Sequence, residues 1–137
     1  MNIAWITVRR WGDFCSTTTN ALASGLVARG HELTILNGDA AEAHADLPWK
    51  HIALDQSSFP GRSGASLALN ASRWFQKNQN NTFDAVIVDW PLAPRVAAEL
   101  TKQNLKGILM DRSPPADVSV LGKLQWRVWR KAWNLVN

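Results

Sequence analysis

Three places in the chain hold residues of types that can bind or react with a ligand: Gly12 with Asp13, Asp89, and Asp111 with Arg112. Gly12 and Asp13 lie in Arg9-Arg10-Trp11-Gly12-Asp13-Phe14-Cys15, between a β-branched run and a string of hydroxyl residues. A glycine lets the backbone approach a ligand closely, and a helix starting behind it turns free N–H groups and a positive dipole end to the same place. An anion or a hydroxyl-rich ligand suits that arrangement; a plain strand-to-helix turn suits the same two residues equally. Asp89 and Asp111 each close an apolar run, where a carboxylate can accept a proton or hold a ligand hydroxyl. An aspartate this close to a proline is also a common turn or helix-start residue. Arg112, followed by Ser113-Pro114-Pro115, can clamp a phosphate or simply face solvent.

Other chemistries lose their usual signatures. Cys15 stands near a helix start, which lowers a thiol pKa, but no histidine is close in sequence to act as its base. His31, His44 and His51 fall in separate elements without metal-ligand spacing, so no metal site is expected. The loop has one glycine where the dinucleotide fingerprint G-x-G-x-x-G needs three. A Walker phosphate loop, a G-x-S-x-G elbow and an Asp-x-Asp pair are all missing from the sequence. Asn70-Ala71-Ser72 and Asn80-Asn81-Thr82 match the glycosylation sequon, which a cytosolic chain would not use.

The elements that must position these residues follow from periodicity. Residues 2–8 read as a buried first strand, and Ser16-Thr17-Thr18-Thr19 offers capping hydroxyls to a helix over about 17–29 that stops at Gly30. Residues 31–36 make a second strand, closing a βαβ unit. Residues 49–54 read as an edge strand, and Leu67, Ala71, Trp74 and Phe75 mark one face of a helix that Asn78-Gln79-Asn80-Asn81 ends. Residues 84–89 are a continuous apolar run bounded by acids, as in a strand covered on both faces. Pro91 is a candidate helix start for Leu92, Val96 and Leu100, residues 107–111 make a fifth strand, and a last helix runs from about residue 118. Five strands alternating with four helices give an α/β fold: a Rossmann-like three-layer α/β/α unit around a mostly parallel sheet of about five strands. Ligands bind such sheets at the carboxyl ends of the strands, which carry the loop after the first strand, Asp89 and Asp111. If the first and fourth strands are neighbours, the first two of these flank the topological switch point.

At 137 residues, 46% hydrophobic and 19% charged, residues 1–137 fit a single domain, and no apolar stretch is long enough to span a bilayer. One cysteine and a start without a signal-peptide pattern point to the cytosol. Eleven basic and eleven acidic residues cancel over 1–120, so Lys123, Arg127, Arg130 and Lys131 account for the whole net charge of +4. A basic face for nucleic acid is therefore not expected on the body of the domain. Projected at about 100° per residue, the helix of 118–137 puts its apolar side chains on one arc of roughly 200°, bordered by Trp126, Trp129 and Trp133. The remaining arc is cationic: Lys123, Arg127, Arg130 and Lys131. Such a basic amphipathic helix suits either packing on the sheet or a peripheral position on an anionic membrane surface.

Ile3-Ala4-Trp5-Ile6-Thr7-Val8, the glycine-containing loop, and Leu22-Ala23-Ser24-Gly25-Leu26-Val27-Ala28-Arg29-Gly30-His31-Glu32-Leu33-Thr34-Ile35-Leu36 together resemble the N-terminal domain of GT-B glycosyltransferases that retain anomeric configuration. Residues 84–89 and 107–112 fall where that domain has its later central strands. The resemblance implies that this domain binds the acceptor, that a C-terminal domain binds the nucleotide-sugar donor, and that reaction occurs in the cleft between them. It further implies that Gly12 and Asp13 line the cleft and that Asp89, Asp111 and Arg112 lie in loops facing it. Members often carry a histidine at the end of a later strand; Asp89-Trp90-Pro91 and Asp111-Arg112-Ser113 have none, so no catalytic residue is carried over. The donor-binding domain with its paired glutamates is not in the sequence, which implies a missing domain or partner chain and no sugar transfer by this chain alone. Two other readings stay open: a stand-alone Rossmann-like module for a nucleotide or anionic metabolite, and a membrane-surface interaction domain.

Overall fold

The computed structural model describes residues 1–13, 16–59, 61–80, 82–112, 114–115 and 120–134, the side chain of Leu121 excepted. Cys15, Ser113, Val118, Leu135 and Val136 lie outside the described residues. The order of elements is β1 (Asn2–Ile6), α1 (Thr17–Ala28), β2 (Glu32–Asn37), a 3-10 turn (Ala41–His44), β3 (Lys50–Ala53), α2 (Ser63–Lys77), β4 (Ala85–Asp89), α3 (Ala93–Lys102), β5 (Gly107–Met110) and α4 (Val120–Trp133). The sheet has five parallel strands in the order β3-β2-β1-β4-β5. The chain winds outward from β1 to β3 and then crosses to β4 and β5, so β1 and β4 are neighbours, the condition under which the sequence puts the switch point between them.

Alternation along the central strands sorts the core into two layers. Ala4 and Ile6 of β1 and Val86 and Val88 of β4 face α2, α3 and Ala132 of α4, with Phe75 and Leu92 filling that side. Ile3, Trp5 and Ile87 face the other way, with Ala23 of α1 and Trp49. The two layers are unequal. Four side chains of α2 are buried, against Thr19 and Ala23 alone in α1, and Leu22, one of the residues whose spacing predicted that helix, is 42% exposed.

Two boundaries differ from the sequence reading for local reasons. The first strand ends at Ile6 rather than residue 8, because Thr7 turns its hydroxyl inward and the Arg9 N–H bonds to it. Helix α3 starts at Ala93 with Pro94 in its first turn, where a proline's missing N–H is harmless, while Pro91 belongs to the turn before it. The 3-10 turn at Ala41–His44 had no periodic signal.

Candidate functional site

The carboxyl ends of β1 and β4 meet at Asp89, the last residue of β4, which is 4% exposed. Its Oδ2 accepts from Thr7 Oγ1 at 2.7 Å and from the Val8 N–H at 3.1 Å, and its Oδ1 accepts from Trp5 Nε1 at 3.3 Å. One carboxylate thus ties down the start of the loop that leaves β1. Burial pushes its pKa up, against the donations from Thr7, Trp5 and Val8 and the charge of Arg112, and the net direction is upward.

On the β2–β3 side the strand ends are knitted together. Asp39 Oδ2 accepts from the Trp11 N–H at 2.8 Å, from Asn37 Nδ2 at 2.7 Å and from His44 Nε2 at 2.8 Å. Trp49 Nε1 donates to His44 Nδ1 at 3.2 Å, which leaves the ring proton of His44 on Nε2, facing Asp39. His51 stacks on His44, with ring centroids 3.9 Å apart, and its Nε2 meets Asn37 Oδ1 at 2.8 Å. His44 and His51, which the sequence puts in separate elements, are therefore neighbours, because the 3-10 turn lays His44 against β3. Burial raises the Asp39 pKa, but the hydrogen bonds from His44, Trp11 and Asn37 outweigh it and the carboxyl sits below its ordinary value. Burial and the neighbouring His44 hold His51 below the usual histidine range, opposed by Asp39. The space beside this network, lined by Thr7, Arg9, Thr19, Asn37 and His44, is about 10 Å³, room for barely one water.

On the β4–β5 side the described residues leave space at the strand ends. A pocket of about 120 Å³ is lined by Arg9, Asp89, Trp90, Met110, Arg112 and Pro114 among others. Arg9 Nε is buried without a hydrogen-bond partner among the described residues. The structure thus brings Asp89 and Arg112 together across the pocket and adds Arg9, which the sequence reading had left as loop. Asp111 turns elsewhere: its Oδ2 accepts from Trp129 Nε1 at 2.8 Å and Trp133 Nε1 at 2.9 Å, so it holds α4. Gly12 and Asp13 are exposed and line neither strand-end pocket. Gly12 has φ +84°, in the left-handed region that favours glycine, and Asp13 closes a turn through the Arg10 N–H and Ser16 Oγ. Asn37, Asp39, His44, His51 and Trp49 were missed as a group; Asn37-Gly38-Asp39 read only as a strand-ending turn.

A larger cavity of about 300 Å³ lies away from this edge, between α3, β5 and Ala132, and its lining is uncharged. Among the described residues no helix is long and apolar enough to cross a membrane.

No protein-family profile and no curated protein matches the chain. Solved structures do. The chain is similar to a UGT transferase from Siraitia grosvenorii in complex with UDP, at 12% identity and a TM-score of 0.59, over 80% of this chain and 27% of that one. It is similar to the glycotransferase of kitacinnamycin at 14% and 0.60, over 98% and 41%, and to the glycosyltransferase SnogD from Streptomyces nogalater at 19% and 0.57, over 98% and 39%. At these identities the likeness is one of fold: a five-stranded parallel three-layer unit matching a Rossmann-like half of GT-B glycosyltransferases. The chain spans 27–41% of the length of these structures.

Proposed function

We propose that this chain is the acceptor-side half of a sugar-nucleotide-dependent, retaining glycosyltransferase of the cytosol, whose donor-binding wall lies on a further domain or a partner chain. The observation that carries the reading is the pocket beside the switch point, which Arg9, Arg112 and Asp89 line together at the strand ends of a half-GT-B fold. Two guanidinium groups with planar donor sets suit an acceptor carrying an anionic or hydroxyl-rich group. Asp89 is a positioning residue in this reading: through Val8 and Thr7 it sets the backbone from which Arg9 projects. In this reading Gly12 and Asp13, exposed in the loop after β1, line the acceptor side of the cleft.

The test is to incubate the purified chain with labelled nucleotide-sugars and sugar acceptors, alone and with a donor-binding half supplied. Transfer is expected only with the second half; turnover by the chain alone overturns the half-cleft proposal. Thermal-shift screening separates the rival, because stabilisation by a dinucleotide and by no acceptor-like ligand would identify a stand-alone nucleotide-binding module.

A further inference from the structure

The seating of α4 divides its apolar arc in two. Gly122, Trp126, Trp129 and Ala132 are buried or partly buried against the domain, and the indole N–H groups of Trp129 and Trp133 both reach Asp111. These contacts fix the rotation of the helix about its axis. At about 100° per residue the inward residues then cover roughly 120° of arc, and Val120, Leu124 and Val128 fall within roughly 80° on the opposite side. They are 77%, 51% and 37% exposed. Arg127 and Lys131 interleave with them on the same side, Lys123 and Arg130 flank it, and all four cations are exposed. Residues 120–134 contain no acid.

We infer that this outward face of α4 docks on an anionic lipid bilayer, with Val120, Leu124 and Val128 entering the headgroup boundary and Arg127, Lys131, Lys123 and Arg130 meeting lipid phosphates. Charge complementarity selects that occupant. The body of the domain is neutral, so the whole net charge of +4 stands on one helix beside an apolar stripe, the combination that binds bilayers by shallow burial and electrostatic attraction together. Trp129 and Trp133, which the sequence projection put on the border of the arc, donate to Asp111 and so hold the helix on the domain. The inference is independent of what the strand-end pocket binds.

The experiment is cosedimentation of the full chain with vesicles of phosphatidylglycerol and phosphatidylcholine in equal parts, and with phosphatidylcholine alone, at low ionic strength. The wild type is expected to bind the mixed vesicles and not the neutral ones. The doubly substituted R127Q/K131Q chain is expected to bind roughly 30-fold more weakly, about fivefold for each cation removed. L124S/V128S is expected to lose at least tenfold. Trp129→Phe, which deletes an inward N–H and leaves the outward face intact, is expected to bind as the wild type does. Circular dichroism confirms that each variant is folded. The inference is overturned if the wild type stays in the supernatant, if neutral vesicles bind equally well, or if L124S/V128S binds as well as the wild type, which would reduce the patch to a polyanion site. Loss confined to W129F would make the tryptophan border the docking edge. Self-association without lipid that L124S/V128S abolishes would make the occupant a second copy of the chain. Either result overturns it too.

Discussion

Between β1 and β3 the strand ends are joined by side chains bonded to one another: Asp39 takes three donors, His44 uses both ring nitrogens, and His51 stacks beneath it. Between β1 and β5 the same edge of the sheet carries two arginines around a pocket of about 120 Å³. Among the described residues, one flank of the switch point is filled by side chains bonded to one another and the other keeps a pocket with unbonded donor capacity at Arg9. Buried polar groups stabilise only when their partners are supplied, so the knitted side has little capacity left for a ligand. Asp89 stands at the junction and belongs to both sides, since it takes Trp5 from the core and Thr7 and Val8 from the loop.

Breaking the junction has the largest expected effect. Asp89→Ala leaves the buried Trp5 and Val8 N–H groups and the Thr7 hydroxyl without their acceptor, and a loss of about 3 kcal/mol or more is expected in denaturant unfolding. Asp39→Ala removes one acceptor from three donors nearer the surface and is expected to lose about 2 kcal/mol. A loss at Asp39 equal to or above that at Asp89 would place the structural centre of the edge on the β2–β3 side.

The two carboxyls also give pH dependences of opposite sign. Asp39 titrates below its unfolded value of 3.8, so its contribution is present above that pH and fades as the pH falls through the folded pKa. Asp89 titrates above 3.8, so its contribution is complete below that pH and declines as the pH rises through the folded pKa. The stability difference between wild type and Asp39→Asn is therefore expected to shrink on acidification, and that between wild type and Asp89→Asn to shrink as the pH is raised. Unfolding curves from about pH 2 to 7, a range that reaches below the ordinary aspartate value, check both slopes, and parallel slopes would dissolve the contrast.

Much of this edge was legible in sequence because its elements are periodic. The bounded apolar runs of residues 2–8 and 84–89 announce buried strands, and once β1 and β4 are neighbours the switch point falls between them. The β2–β3 network was not legible. Its members are scattered over Asn37, Asp39, His44, Trp49 and His51, and only a four-residue 3-10 turn without hydrophobic period brings His44 onto His51. Arg9 was hidden for another reason: its role comes from Thr7 and Asp89 turning the chain, a contact 82 residues apart in sequence. Spacing gives α4 an apolar arc, but which half of that arc faces the domain depends on Asp111, which spacing within the helix does not reveal.

The smallest expected effect on stability is the sharpest test of the open side. Arg9 is partly buried, but its Nε has no hydrogen-bond partner among the described residues to lose, so Arg9→Gln should change unfolding free energy by no more than about 0.5 kcal/mol. If the pocket receives an anionic group, the same substitution removes a charge-assisted donor worth roughly tenfold in affinity. Titration with inorganic phosphate, followed by chemical-shift change at the Trp90 indole that lines the pocket, reads this directly. Weakened phosphate binding in a chain of unchanged stability would separate function from scaffold on the β4–β5 side, as no substitution in the Asp39 network should do. A loss of stability with no change at Trp90 would instead make Arg9 part of the scaffold and leave the two sides of β1 alike.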